Sequence, residues 1–179
     1  MPKIPKIYFI SGVSGVGKTS TLNYLKKFLP IESFDVRDFD ERGVPDGGGP
    51  KWHSAETANW LDISALNAKE GKSTIVCGFS EPDIVRAVHK ENHPLAELIL
   101  LHASTDILKK RLRGRYPTAE SEKGIERSSG TSLEEFVENC ASYAPKLRDI
   151  FKEEKCLIID TDDKSPEEVA REISSSICS

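Results

Sequence analysis

Short apolar runs alternate along the chain with longer stretches in which apolar side chains recur every three or four residues. The short runs are rich in isoleucine, valine, leucine and phenylalanine, which predicts β-strands. They lie at residues 7–10, 32–38, 73–79, 98–103 and 156–160. The run at 98–103 is almost continuously apolar, which is typical of a central parallel strand that is covered on both faces.

The longer stretches predict helices. We expect them at residues 22–29, 54–71, 80–92, 107–113, 132–154 and 165–177. Ser54 is the expected N-cap of the second helix, because residues 41–52 before it hold too much glycine and proline for regular structure. Pro145 is expected to kink or divide the helix that contains it. The repeated strand–helix order predicts a parallel sheet with helices on both faces and a ligand site at the carboxyl ends of its strands.

A glycine-rich segment joins the first predicted strand to the first predicted helix. It reads Gly12, Val13, Ser14, Gly15, Val16, Gly17, Lys18 and Thr19, with Ser20 next. Glycine, four residues and Gly-Lys-Thr form the phosphate-binding (Walker A) pattern, whose backbone N–H groups curl around phosphate oxygens. We expect Lys18 to reach the β- and γ-phosphates and the Thr19 hydroxyl to hold Mg²⁺. The segment predicts a nucleoside triphosphate site.

Composition and charge narrow the class of protein. The chain has 179 residues, of which 37% are hydrophobic and 30% charged, and its net charge is −4. We therefore expect one globular domain over residues 1–179 and no nucleic-acid partner. No apolar run approaches the roughly 20 residues that cross a bilayer. The four cysteines lack metal-ligand spacing and no signal peptide is evident, so we expect buried free thiols in a cytoplasmic monomer or homodimer.

The phosphate loop identifies the ligand and leaves the reaction open. The Asn-Lys-x-Asp signature of GTPases is absent, and no Asp-x-x-Gly follows the third predicted strand. Motor and AAA-type ATPases need an apolar strand ending in Asp-Glu beside the loop. A similar run ends at Asp160, but it belongs to the last predicted strand, which we expect at the sheet edge, and the chain has no room for their helical subdomain. Small-molecule phosphoryl transfer remains.

Three further motifs extend the pattern beyond the phosphate loop. They are Asp38-Phe39-Asp40, the arginine-rich segment at residues 111–115, and the closing segments 158–161 and 165–168. Together they resemble, over essentially the whole chain, the P-loop small-molecule kinases, the superfamily of nucleoside monophosphate, shikimate and gluconate kinases. The resemblance implies a three-layer α/β P-loop NTPase fold, with a five-stranded parallel sheet in the order 2-3-1-4-5, helices on both faces and a short lid near residues 115–132. It also implies ATP and Mg²⁺ as cofactors, with GTP still an open alternative to ATP.

The resemblance assigns the cationic residues to the nucleotide. Lys18, Arg111 and Arg115 would stabilise the transferred phosphoryl group, and the planar guanidinium groups of the two arginines match the charge on its equatorial oxygens. Thr161, in the loop after the last predicted strand, would lie beside the nucleotide. A lid that closes over these groups would expel water and so prevent hydrolysis of ATP.

The two aspartates stand where the family places a carboxylate that faces the acceptor. Asp38 and Asp40 point the same way on an extended chain, while Phe39 packs behind them. We assign Asp40 to the acceptor side as the proton acceptor, and Asp38 to the metal together with Thr19. The reverse assignment of the two aspartates remains open.

The acceptor pocket is expected to form from residues 41–70 and the helix after Ser80. The candidate acceptor-binding residues are Asp40, Arg42, Trp52, His53, Trp60 and Arg86. Two tryptophans within eight positions suggest a stacking surface over the acceptor, and core packing is an equal alternative for Trp60 on a helix.

The third predicted strand departs from the nucleoside monophosphate kinases. Cys77 replaces their aspartate, and Glu81 replaces the arginine that grips the acceptor phosphate, so an acidic side chain would repel such an acceptor. A cysteine at this position and the Trp60-Leu61 pair resemble gluconate kinases, but Tyr116 follows Arg115 where those enzymes have a lid histidine.

These motifs together favour ATP-dependent transfer of the γ-phosphoryl group to a hydroxyl of a small metabolite. Two alternatives stay open. One is a nucleoside or nucleotide kinase with a divergent acceptor pocket, and the other is a nucleotide-binding regulatory ATPase with a protein partner.

Overall fold

The structure is a computed structural model that describes residues 4–45 and 48–178. Asp46 and Gly47, which belong to the glycine-rich loop predicted at 41–52, lie outside the described residues. Within those two ranges, no helix is both long enough and apolar enough to span a membrane.

Five short strands form one parallel sheet. They are β1 (Ile7–Ser11), β2 (Phe34–Asp38), β3 (Ser73–Cys77), β4 (Ala96–His102) and β5 (Leu157–Asp160). The order across the sheet is β2-β3-β1-β4-β5, and each neighbouring pair is parallel. The predicted strand order is confirmed, and β5 lies at the edge as expected.

Helices cover both faces of the sheet. They are α1 (Lys18–Phe28), α2 (Pro50–Lys69), α3 (Pro82–Val88), α4 (Thr105–Arg115), α5 (Ala119–Ser129), α6 (Leu133–Glu153) and α7 (Pro166–Cys178). Because side chains alternate along a strand, Tyr8 and Ile10 of β1 pack with α1, α4, α6 and α7, whereas Ile7 and Phe9 pack with α2 and α3. The α/β layers that the alternation of runs predicted are confirmed.

The start of α2 differs from the prediction. The helix begins at Pro50 with Gly49 as its N-cap, so residues 50–52 are helical and Ser54 is not the cap. Proline is favoured in the first turn of a helix, because its missing N–H would have no intrahelical partner there. The sequence pattern places Pro50 in the loop at residues 41–52, but Pro50 is the first residue of the helix.

Helix α3 and the segment 115–132 also differ from expectation, and of the two effects expected of Pro145 the division of its helix does not occur. Helix α3 ends at Val88, because the chain becomes extended at His89 instead of continuing to residue 92. Pro145 lies inside α6 without dividing it. The segment 115–132 contains the unpredicted helix α5, which starts with a capping box between Thr118 and Ser121.

The cysteines also depart in part from expectation. All four are free thiols, as expected. Cys77 is buried, whereas Cys140 and Cys156 are half-buried and Cys178 is exposed.

Candidate functional site

The phosphate loop connects β1 to α1 at the carboxyl end of the sheet. It must pass close to β4, because a Cβ atom on Gly12 would lie 2.6 Å from the carbonyl oxygen of Leu101. Gly12 also has a φ of 151°, which L side chains rarely adopt. Glycine at this position therefore allows both the turn and the close packing of the loop against the sheet.

Lys18 at the start of α1 is held by the loop itself. Its Nζ donates hydrogen bonds to the carbonyl oxygens of Gly12 at 2.6 Å and Val13 at 3.0 Å. An ammonium group has three N–H donors, so one remains for a ligand. Loss of water around the ammonium lowers the pKa of Lys18 to about 8, although the nearby Asp40 charge opposes the shift. The loop thus holds a partly desolvated ammonium group, and a bound anion would raise its pKa and favour its charged form.

A cavity of about 790 Å³, here called the loop cavity, lies between the phosphate loop and the segment 111–129. Its lining includes Ser14, Gly15, Val16, Gly17, Lys18, Thr19, Ser20, Asp40, Arg111, Arg115 and Thr161. Arg111 is fixed in place, because its guanidinium group donates to the Thr161 hydroxyl at 3.0 Å and to the Thr161 carbonyl at 2.6 Å. Both predicted arginines therefore lie at the same cavity as the phosphate loop.

A second cavity of about 520 Å³, here called the aspartate cavity, lies between the loop and α2. Its lining includes Ser14, Lys18, Thr19, Asp38, Asp40, Trp52, His53, Cys77, Phe79 and Arg127. Ser14, Lys18, Thr19 and Asp40 line both cavities, so the two cavities meet at these four residues.

The turn after β2 sets the position of the two aspartates. The backbone N–H of Asp40 donates to the Asp38 carboxylate (Oδ1) at 2.9 Å. Asp40 is exposed at the cavity edge, yet the surrounding protein displaces enough water to raise the pKa of its carboxyl group, and the Asp38 charge raises that pKa further. Gly78 lets this turn approach β3, because a Cβ there would lie 2.0 Å from the Cβ of Phe39.

Trp60 and Trp52 have different environments. Trp60 is 2% exposed and its indole Nε1 donates to the Phe39 carbonyl at 3.1 Å, so it packs beneath the turn and does not line either cavity. Trp52 lines the aspartate cavity. Of the two tryptophans expected at an acceptor surface, the structure brings one to the site and buries the other in the core.

The structure does not bring Arg42 or Arg86 to the lining of either cavity. The Arg42 Nε lies 2.9 Å from the carboxylate of Glu56 on α2. Arg86 on α3 pairs with Asp83 at 2.8 Å and with Glu154 at 2.7 Å, beside a different cavity. Glu56 and Glu154 belong to other segments of the chain, so the sequence around Arg42 and Arg86 does not reveal these two ion pairs.

Residues of α6 at the site were not predicted. Phe136, Asn139, Cys140 and Tyr143 line a cavity of about 480 Å³ together with Phe79 and the phosphate loop residues Gly12, Val13, Ser14 and Lys18. Burial raises the pKa of Tyr143 to about 12, and the hydrogen bond that its hydroxyl donates to the Glu81 carboxylate adds to the shift. The sequence predicts the helix, but it carries no signal for which face of α6 meets the loop.

The oxygen atoms that line the aspartate cavity suit magnesium. Thr19, Asp38 and Asp40 line the aspartate cavity and offer a hydroxyl and two carboxylates. Among the described residues, no group of three or more His, Cys, Asp or Glu side chains could hold a metal by itself. Mg²⁺ typically binds one or two carboxylates, waters and phosphate oxygens, so this donor set fits a metal that arrives with a nucleotide.

Cys77 lies in the aspartate cavity at the end of β3. Burial raises the pKa of its thiol to about 12, with a smaller contribution from the Asp38 charge. The side chain is therefore a neutral thiol at physiological pH, and it is a poor ligand for a hard cation.

Solved structures with the same fold cover nearly the whole chain. An APS kinase from Mycobacterium tuberculosis, in complex with AMPPNP and APS, is 18% identical, with 99% of this chain and 100% of that chain covered and a TM-score of 0.64. A shikimate kinase from Acinetobacter baumannii, in complex with shikimate, is 15% identical, with coverage of 99% and 94% and a TM-score of 0.58.

The shikimate kinase from Aquifex aeolicus is 18% identical, with coverage of 96% and 95% and a TM-score of 0.54. No protein-family model matches the sequence, and no curated protein matches it. At these identities the likeness establishes the fold alone, which this chain shares with the APS kinase and shikimate kinase structures.

Proposed function

We propose that the protein is an ATP-dependent phosphotransferase that moves the γ-phosphoryl group to a hydroxyl of a small metabolite. The observation that carries the proposal is that the loop cavity and the aspartate cavity meet at Lys18, Thr19 and Asp40. Phosphoryl transfer requires a donor site and an acceptor site that share the point through which the phosphate passes.

The loop cavity would bind the donor. Backbone N–H groups of the phosphate loop and the positive end of α1 would hold the phosphates, with the free N–H of Lys18 directed at them. Arg111, already oriented by Thr161, and Arg115 would stabilise charge on the transferred group. Mg²⁺ held by Thr19 and Asp38 with phosphate oxygens would neutralise charge on the donor. The AMPPNP in the APS kinase structure supports a nucleotide in this fold.

The aspartate cavity would bind the acceptor. Asp40 lies at the junction, where a carboxylate can take the proton from an acceptor hydroxyl as that oxygen attacks phosphorus. Its raised pKa makes it a stronger base than an ordinary aspartate. The lid near residues 115–132, which includes α5, would exclude water from the junction during transfer.

A regulatory ATPase with a protein partner is the second candidate. The observation in its favour is Cys77, because a neutral buried thiol replaces an aspartate that would assist the metal. Such a protein would hydrolyse ATP slowly and without a small acceptor.

An acceptor screen separates the two candidates. The full chain with Mg·ATP is assayed for ADP release in the presence of single hydroxyl compounds, among them sugars, polyols and nucleosides. The phosphotransferase predicts that one group of related compounds strongly increases ADP release and appears as the phosphorylated product. Slow release that no small molecule changes would favour the regulatory ATPase. Lys18→Ala, which should lose triphosphate binding, serves as the control variant.

A further inference from the structure

Three consecutive residues at the end of β5 bond to different parts of the fold. They are Asp160, Thr161 and Asp162, and we call them the 160–162 segment. Thr161 is 3% exposed, lines the loop cavity and accepts both hydrogen bonds that orient the Arg111 guanidinium group. The direction of this arginine at the proposed donor site therefore depends on where the 160–162 segment lies.

The end of β4 holds one side of the segment. The backbone N–H of Thr161 donates to the His102 carbonyl at 2.8 Å, and the Asp162 carboxylate accepts a hydrogen bond from the Ser104 N–H at 2.8 Å. β5 is an edge strand, and within the described residues no strand lies on its other side. On that side the sheet itself gives the segment no support.

Asp160 connects the segment to α6. Arg148 on α6 donates to the Asp160 carboxylate with two nitrogens, at 2.9 Å to Oδ1 and 3.3 Å to Oδ2. The Nδ1 of His102 lies 2.9 Å from the same Oδ1 and 3.1 Å from the Arg148 guanidinium group. A bidentate arginine–carboxylate pair fixes direction as well as distance. Asp160 is thus held between the end of β4 and α6.

The two arginines that bond to the segment belong to the two helices that flank the proposed lid. Arg111 lies on α4, which ends at Arg115, and Arg148 lies on α6, which begins at Leu133. These helices also pack against each other. The segment is therefore bonded to both helices that carry the lid, through adjacent residues of the chain.

The Asp160–Arg148 pair is open to solvent. The side chains are 55% and 42% exposed, and exposed ion pairs contribute little to the stability of a fold. The pair can nevertheless restrict the local position of a segment that has a strand on one side only. Its effect is therefore expected at the residue that the segment orients, which is Arg111.

From these contacts we infer that Asp160 and Arg148 are positioning residues for nucleotide binding. They hold the 160–162 segment, and through Thr161 they keep the Arg111 guanidinium group at the loop cavity. The lining of that cavity includes neither Asp160 nor Arg148, so both would act without touching the nucleotide. The inference rests on the proposed function, in which Arg111 binds the phosphates of the donor.

Asp160→Ala tests the inference, because charge and position predict opposite results. By charge alone, removal of a carboxylate near the donor site should strengthen the binding of an anionic nucleotide. Loss of positioning should instead weaken it about fivefold, which is part of the contribution of one hydrogen bond to a charged group. Calorimetric titration of the full chain with Mg·AMPPNP measures the affinity. Unchanged or tighter binding by Asp160→Ala would overturn the inference.

Asp163→Ala is the matched control. Asp163 follows the segment directly and is exposed, and no bond joins it to Arg148 or His102 among the residues described. The variant removes the same charge from the same loop, so AMPPNP affinity should stay unchanged or rise slightly. Equal weakening by Asp163→Ala and Asp160→Ala would contradict a specific role for the Asp160–Arg148 pair.

A double-mutant cycle tests whether Asp160 acts through Arg111. Once Arg111→Ala has removed the side chain, its orientation no longer matters, so adding Asp160→Ala should change AMPPNP affinity by less than about twofold. A residue that only stabilised the fold would weaken binding equally with and without Arg111. A further loss of about fivefold in the double variant would therefore overturn the positioning role.

The two proposals fail in different ways. If the variants alter AMPPNP affinity as expected but no compound increases ADP release, the phosphotransferase function fails and the positioning role stands. If a small molecule is phosphorylated but Asp160→Ala binds AMPPNP like the wild type, the function stands and the inference fails.

Discussion

The indole Nε1 of Trp60 donates a 3.1 Å hydrogen bond to the backbone carbonyl of Phe39. Phe39 lies between Asp38 and Asp40, so this bond connects the core of α2 to the turn that carries both carboxylates. The position of the proposed proton acceptor therefore depends on a residue that does not line the cavity.

Trp60→Phe is expected to destabilise the protein by about 1–3 kcal/mol, because it removes the donor and leaves the Phe39 carbonyl without a partner in the core. The smaller ring also leaves unfilled space beneath the turn. Urea denaturation followed by circular dichroism measures the change. A free energy of unfolding equal to that of the wild type would show that the bond contributes nothing.

Trp52→Phe is the matched control, because Trp52 lies on the same helix and lines the cavity. Its stability should change by about 1 kcal/mol or less, since no hydrogen bond of its indole is lost among the described residues. A larger loss for Trp52→Phe than for Trp60→Phe would reverse our assignment of the two residues.

The sequence predicts the sheet and the phosphate loop well for physical reasons. Buried parallel strands are short and almost wholly apolar, so the runs at 7–10 and 98–103 leave little choice of structure. The loop residues from Gly12 to Thr19 depend on backbone geometry, which the glycine spacing specifies locally. Both features are determined by residues that are adjacent in the chain.

The residues that the sequence misplaces depend on distant partners. Trp60 and Trp52 share α2, and which of them is buried depends on how that helix packs against β3. Arg86 pairs with Glu154, far along the chain. The helix α5 was missed because its segment is polar, contains Gly124 and holds one large apolar residue, Ile125.

Nucleotide binding should take up protons above about pH 8. Lys18 has a pKa of about 8, so its ammonium is partly neutral at higher pH, and bound phosphates would raise that pKa. At about pH 8.5, binding of AMPPNP should cause uptake of at most about 0.8 proton, which is the neutral fraction of a lysine with a pKa of about 8. Calorimetry in buffers of different ionisation enthalpy gives the number directly.

The same titration at about pH 7 is the control for Lys18, because the ammonium is then charged in both free and bound states and uptake should be close to zero. Uptake that is the same at both pH values would place the proton on another group. Uptake that is absent at both would mean that Lys18 keeps its ordinary pKa in the free protein.

Asp40→Asn should lower turnover about 10²–10⁴-fold, because the amide cannot take the proton from the acceptor hydroxyl. Affinity for AMPPNP should remain, since the loop cavity keeps its cations. Steady-state kinetics and nucleotide titration together test this separation. Normal turnover by Asp40→Asn would exclude the carboxylate as the proton acceptor.

The pH profile of the wild-type enzyme tests whether the pKa of Asp40 is raised. A base must be ionised to act, so activity is present above its pKa and is lost as the pH falls through it. Because desolvation and Asp38 raise the pKa of Asp40 in the free protein, the acid limb of kcat/KM for Mg·ATP, which reports the free enzyme, should lie above the pKa of an ordinary aspartate.

Asp38→Asn should move that acid limb to lower pH, because it removes the charge that helps to raise the pKa of Asp40. The asparagine Oδ1 can still accept the bond from the Asp40 N–H, so the turn is retained. If Asp38 holds the metal, the variant should also need more Mg²⁺ for half-maximal turnover. Magnesium titrations across the pH range measure both effects. Loss of turnover in Asp38→Asn at every Mg²⁺ concentration, with Asp40→Asn still active, would exchange the roles of the two aspartates.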